Sequence, residues 1–326
     1  MTRFLFTLAA VLAAAAAAPG QPPVTTPAFL YGHDLKVRPA GQAEFAKDTP
    51  KVGVEFYHDP AGGAVLAISE AGSIAVAPFA PPGAEKRAVW AAANEFRARG
   101  ADEESFGKAK KFGVEAFRDL AGNRLLYVSD QKTIALADLP AKVESGRDPA
   151  FHHGLTLKVR GLTDTEFANA KKFGVDVFTD ANTGGLVYVS ETGAIAAGPA
   201  PPAPPPGNAV KAPRALHGLT LKVRKGGERA FEAARTFAVE VFEDRNTGGL
   251  VYLTETGSVA VAPAPAEIKT KQKPVWTHGF DLRARKAGEE FAKATRYGVE
   301  AFTDPHTGHR VYLSETGAIA VLAAKP

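Results

Sequence analysis

The chain is predicted to be a mainly β repeat protein with short helices, five β-α-β-β-β units of about 47 residues each. Three observations predict this. The stretch from His153 to Gly198 recurs along nearly the whole chain, so that HGLTLKVR stands at 153–160 and again at 217–224. Aligned on the residue before a VE or VD pair, the copies place Gly53, Gly113, Gly174, Ala238 and Gly298 about 60 residues apart, and self-similarity on that scale marks a repeat architecture. Within a copy, Leu155, Leu157 and Val159 alternate with Thr156, Lys158 and Arg160, the period of a half-buried strand.

Residues 1–18 read as a secretory signal. Arg3 supplies the positive start, Phe4 to Ala18 the apolar stretch, and the alanines the small residues that suit cleavage. Pro19 and Gly20 interrupt the run before it reaches the about 20 apolar residues that a membrane span needs. A Pro-rich spacer follows at 19–28, then repeats at 29–78, 90–138, 152–198, 216–262 and 277–322, the second being the most diverged. Between the third and fourth lies a Pro-rich linker, 199–215, and prolines in such density favour an extended spacer over core.

The third repeat shows the unit at its clearest. After the strand LTLKVR, Thr163 and Glu166 have capping-box spacing, Phe167, Ala170 and Phe173 lie near one helical face, and Gly174 suits a left-handed stop. A short helix is therefore expected there, cut back to a turn in the first copy by Pro50. VDVFTD and LVYVS follow as two strands around the hairpin loop ANTGG, and Thr192-Gly193 turns the chain into AIAA. A unit this small, with no cysteine in the chain to cross-link it, buries too little surface to stand comfortably alone. The units are expected to pack on one another, either closed into a five-bladed β-propeller or standing as tandem small α+β modules.

The turn DANTGGLVYV at 180–189, repeated as DRNTGGLVYL at 244–253, resembles the D-x-x-T-G hairpin of quinoprotein-type propeller blades. The resemblance implies the propeller; it does not extend to a quinone cofactor, because the docking tryptophan of those blades is missing and Trp90 and Trp276 fall in spacers. More broadly, the pattern HGLxLKVR…FGVEVFxD…TGGLVYVSETGxIAV is similar to uncharacterised secreted tandem-repeat proteins of planctomycete-type bacteria, a resemblance that brings no activity with it.

Composition narrows the chemistry. Absence of cysteine excludes disulfides, thiolate metal sites and cysteine nucleophiles. The net charge of +4, reduced by one if Arg3 leaves with the signal, is mild and interspersed, unlike the segregated excess of a nucleic-acid binder. Asp180, Asn182 and Glu191, repeated as Asp244, Asn246 and Glu255, follow much of the EF-hand loop and could offer oxygen ligands to Ca2+, although glycine occupies the fifth position; a hairpin turn in which Asp180 and Asn182 bond backbone amides is the alternative. A basic pair recurs in every first strand: Lys36 and Arg38, Arg97 and Arg99, Lys158 and Arg160, Lys222 and Arg224, Arg283 and Arg285. Those ten residues could hold an anionic polymer by multivalency, or could pair across strands with Glu55, Glu115, Asp176, Glu240 and Glu300. His153, His217 and His278 open three repeats and could meet at the centre of a ring around a metal; a turn role bonded to backbone is the alternative.

No G-x-S-x-G, H-E-x-x-H or P-loop spacing occurs, and every polar feature repeats where a catalytic constellation is ordinarily unique. The expectation is a non-enzymatic protein, secreted or periplasmic, that binds or scaffolds an extracytoplasmic polymer or a protein partner, without nucleic acid and without a membrane span once the signal is cleaved. A structural Ca2+-binding array is the second reading and an envelope hydrolase the third.

Overall fold

The computed structural model describes residues 26–199, 210–269 and 272–324; the expected signal segment lies outside them. Five four-stranded antiparallel sheets each pair their strands in sequence order. In the third, Ala150–Val159, Lys171–Thr179, Leu186–Ser190 and Ile195–Gly198 form the meander. The blades span 28–78, 88–138, 150–198, 214–263 and 275–322. The fourth strand of each blade touches the fourth strands of the blades on either side, and the fifth blade returns to the first. The molecule is a five-bladed β-propeller. Each blade runs from rim to axis, with its first strand outermost.

The reason lies in where apolar side chains point. From Phe173 to Phe178 every residue is buried, so the second strand is covered on both faces. Each blade therefore needs a neighbour on each side. The five apolar clusters are all shared between adjacent blades: Leu155, Leu157 and Val175 of the third, for example, pack with Phe242, Val251 and Leu253 of the fourth. Near the axis the strands converge and bulk must fall, which is why the inner strands open with Ile74-Ala75, Ile134-Ala135, Ile195-Ala196, Val259-Ala260 and Ile319-Ala320. The turns before these strands are stitched around the axis. Thr133, Thr192, Thr256 and Thr316 donate their hydroxyls to the carbonyls of Gly193, Gly257, Gly317 and Gly72 in the next blade, at 2.8–3.2 Å. At the remaining step Ile134 N–H donates to Ser73 Oγ at 3.2 Å.

The expected helix of the unit does not form. Residues 161–170 are turns and bends, Phe173 and Gly174 already belong to the second strand, and the only helix among the described residues is the single 3₁₀ turn Phe291–Lys293. The aromatic at 173 is spent on the sheet, and the short polar stretch left over closes on itself through Gly161 N–H to Asp164. Gly174 is not a left-handed stop either. A Cβ there would lie 2.1 Å from the Arg99 carbonyl of the preceding blade, and Gly53, Gly113 and Gly298 face Arg285, Arg38 and Arg224 in the same way. These glycines exist for close approach between blades. Nor do Trp90 and Trp276 lie in spacers: both sit in first strands, Ala88–Ala98 and Val275–Ala284.

Gly298→Ala should therefore destabilise the ring by about 1–3 kcal/mol, because the new methyl meets backbone 2.0 Å away. Ala238→Gly, at the equivalent position that already holds a methyl, should cost less than Gly298→Ala. Urea unfolding of the two variants beside the parent checks this.

Candidate functional site at the blade junctions

One set of contacts recurs at all five junctions. Just past each first strand an arginine crosses to a buried acid on the second strand of the next blade: Arg38 to Glu115 at 2.6 Å, Arg99 to Asp176 at 2.6 Å, Arg160 to Glu240 at 2.6 Å, Arg224 to Glu300 at 2.5 Å and Arg285 to Glu55 at 2.7 Å. In four junctions the same guanidinium also donates to a carbonyl five residues on, at Ala43, Glu104, Thr165 and Arg229, pinning the loop after its own strand. It lies over a loop phenylalanine as well, Phe45, Phe106, Phe167 or Phe231. Opposite the acid, the first strand of its own blade carries Gly32, Ala93, Gly154, Gly218 or Gly279. That small residue leaves room for the incoming arginine: a Cβ at Gly154 would lie 2.0 Å from Arg99 Nη2.

The ten basic residues of the repeat thus divide. Arg38, Arg99, Arg160, Arg224 and Arg285 are turned inward onto the acids, and the pairing runs between blades instead of across strands within one blade. The others stay at the rim: Arg97, Lys158, Lys222 and Arg283 exposed and Lys36 half-buried. Their cross-strand neighbours are mostly basic too, since Lys36 faces Lys51, Arg97 faces Lys111, Lys158 faces Lys172 and Arg283 faces Arg296. Acids at the rim partly offset this, with Glu95, Asp102 and Asp281 near Lys111, Lys172 and Arg296.

The histidines do not meet at the centre of the ring, because the first strand is the outermost. His153, His217 and His278 instead reach Asp244, Asp304 and Asp59 of the next blade at 2.9, 3.0 and 2.9 Å. Those aspartates, with Asp180 at the same position of the third blade, are fully buried hubs. Tyr127, Tyr188, Tyr252 and Tyr312 each donate a hydroxyl to one, Asp180, Asp244, Asp304 and Asp59 respectively. Where the first blade has Ala67 in place of that tyrosine, and Tyr31 in place of the histidine, Asp119 takes the Tyr31 hydroxyl at 2.7 Å and His33 Nε2 at 3.3 Å. Burial would raise the Asp244 carboxyl, but the hydrogen bond and charge of His153, with Asn246 N–H and the Thr247 hydroxyl, bring it down to about 2. Burial pushes the Tyr188 and Tyr252 hydroxyls up, with the facing carboxylates adding to it.

The residues expected to hold Ca2+ are separated by the third strand. Asp180 and Asn182 share one hairpin, where Asp180 accepts from Asn182 N–H and the Thr183 hydroxyl, and Asn182 ties down Arg147. Glu191 lies at the other end of the strand and accepts from the N–H groups of Gly174 and, across the junction, Ala101. Asp244 and Asn246 repeat the first arrangement, and Glu255 sits beyond the far end of its own strand, its N–H donating to Ala238. Elsewhere His217, Asp304 and His306 bring one ligand atom each within 4.8 Å of the others. There His306 stacks on His217 with ring centroids 4.0 Å apart, and its two nitrogens face the carbonyls of Lys269 and Gln272.

The fifth-to-first junction closes the ring and is built differently. Tyr57 and Tyr297 stand at positions where phenylalanine is usual, and their hydroxyls donate to the carbonyls of Arg283 and Glu70 at 2.6 Å. Arg285 is shared between Glu55 and Asp34, and Glu55 is left without a well-aligned hydrogen bond. Burial raises its carboxyl to about 7 against the opposing charge of Arg285.

No family model and no curated protein matches the chain. Among solved structures, virginiamycin B lyase from Staphylococcus aureus is similar at 15% identity, over 91% of this chain and 89% of that one, with a TM-score of 0.11. A catalytically inactive form of the same lyase with quinupristin gives 14% identity, 86% and 83% coverage and a TM-score of 0.13. At these scores nothing about activity transfers. The assignment to propellers rests on the strand order and the closed ring of inner strands.

Two outcomes test the junctions. Arg38→Met leaves Glu115 buried without its cation and should cost about 3–5 kcal/mol, whereas Arg38→Met with Glu115→Leu should recover most of the loss; chemical denaturation of the three proteins measures it. For Glu55 the folded value lies above the ordinary 4.5, so its stabilising contribution is complete below about pH 4.5 and lost as pH climbs through 7. Glu55→Gln should accordingly gain thermal stability relative to the parent between about pH 5 and pH 8. A difference in melting temperature that does not change with pH would show that Glu55 titrates normally.

Proposed function

We propose that the protein is a non-enzymatic, multivalent binder of anionic polymers that works outside the cytoplasm. The observation that carries this is the basic rim. Five outer strands present a cation at the same register, four of them directly opposite a second cation, and like charges placed opposite one another destabilise a sheet unless something compensates them. Rim acids offset Lys111, Lys172 and Arg296 in part, and a polymer carrying regularly spaced carboxylate or sulfate groups would supply the remaining compensation at several blades at once. Each site is weak alone, and the ring geometry turns five weak contacts into avidity. The inward arginines are committed to the junctions, so the contact residues are Lys36, Arg97, Lys158, Lys222 and Arg283, with Lys51, Lys111, Lys172 and Arg296 beside them. The secretory reading of residues 1–18 supports a site of action in the envelope or beyond it.

Binding to immobilised dextran sulfate tests the proposal. The parent should bind, and affinity should fall steeply as salt is raised because exposed charges are screened. Lys158→Ala alone should weaken binding by only about 2–5-fold, while alanine at all five rim positions should weaken it by about 100-fold or more. Equal losses from the single and the fivefold variant would replace multivalency with one local site. Failure of the parent to bind dextran sulfate, polygalacturonate and heparin at low salt would end the proposal.

A further inference from the structure

The repeats also differ in one place where difference leaves an opening. At each junction the loop phenylalanine of one blade faces one residue in the first strand of the next. Phe45 meets Trp90 edge-on, with centroids 6.1 Å apart and planes at 87°, and Phe231 meets Trp276 at 5.7 Å and 88°. Phe106 meets Phe151 at 4.9 Å, and Phe291 meets Phe29 at 4.9 Å. Between the third and fourth blades the corresponding residue is Ala215, and Phe167 has no aromatic partner among the described residues.

Everything else needed for an indole is present there. In the two tryptophan junctions the indole Nε1–H donates to the acid that the arginine also holds, Glu115 Oε2 and Glu300 Oε2, both at 2.7 Å. Glu240 occupies the same place, held by Arg160 through both oxygens at 2.6 and 3.1 Å, with a side chain only 4% exposed and no indole donor. Arg160 lies 4.7 Å over the ring of Phe167. Ala215 and Gly218 are exposed, whereas Gly279, the equivalent of Gly218 beside Trp276, is buried. We infer that this junction is a binding seat for an indole side chain brought by another molecule, a tryptophan-bearing peptide. The occupant cannot come from this chain, whose two tryptophans already fill the seats at 90 and 276. The seat depends on a buried acceptor and an aromatic wall, and is independent of the basic rim.

Titration calorimetry of the full chain with N-acetyltryptophanamide tests the inference. The parent should bind saturably with a dissociation constant on the order of 1 mM. The 1-methyl analogue, which lacks the N–H donor, should bind at least about fivefold more weakly. Ala215→Trp should fill the seat from within, abolishing binding and raising the melting temperature. Phe167→Ala, at a half-exposed loop position, should weaken binding while leaving the ring folded. No saturable binding by the parent, equal binding of the methylated analogue, or undiminished binding to a folded Ala215→Trp protein would each overturn it.

Discussion

A four-stranded meander with two apolar faces has no inside of its own. In this protein the only place to hide Phe173, Val175 and Val177 on one face, and Phe178 on the other, is against the neighbouring blades. The rest of the structure follows from that need. The ring closes because a row would leave two such faces in water. The inner strands carry isoleucine and alanine because five of them converge, and the glycines of the second strand exist because the preceding backbone comes down on them.

Apolar packing alone does not fix how one blade is turned relative to the next, and polar contacts of fixed direction supply that. Each blade extends an arginine forward into a carboxylate that its successor keeps buried, and each carries a buried aspartate that collects hydroxyl or imidazole donors from its predecessor. The donors from the preceding blade vary: histidine and tyrosine at three junctions, Tyr127 alone at the second, Tyr31 and His33 at the first. What is held constant is that each carboxylate meets at least one donor from the preceding blade, as expected when an unmet buried charge costs more than any particular partner contributes, although Asp59 Oδ1 at the closing junction has no partner. The closing junction is the exception. There Glu55 is the least well met, and two extra tyrosine hydroxyls take up part of the work.

Much of the architecture was legible in the sequence because it rests on periodicity. The repeat of VE or VD pairs, the alternation in LTLKVR and the turn residues of ANTGG each report on local backbone and on the faces of a strand. The missing helix shows where that reading fails: Phe167, Ala170 and Phe173 have helical spacing, but Phe173 is claimed by a sheet, and no local pattern announces a tertiary claim. The same limit hid the junctions. Arg99 and Asp176 lie 77 positions apart, and nothing within one repeat says that a cation in one copy belongs to the acid in the next. A signal was available in Gly154 opposite Asp176: a residue without a side chain beside a conspicuous acid implies that something from outside fills the gap. Asp180 was visible as a turn former and as a Ca2+ candidate but not as a junction hub, since that role depends on Tyr127 in another blade.

No blade borrows a strand from another. Many closed rings are latched by pairing the two ends of the chain in a single sheet; here the first and fifth blades are each complete, and they meet through side chains as any other two do. Where the chain enters and leaves the ring is therefore not dictated by the ring itself. Joining residue 322 to residue 28 would repeat a passage, from an inner strand out to the next outer one, that the chain already makes four times. Opening it at any other linker would leave all five junctions as they are.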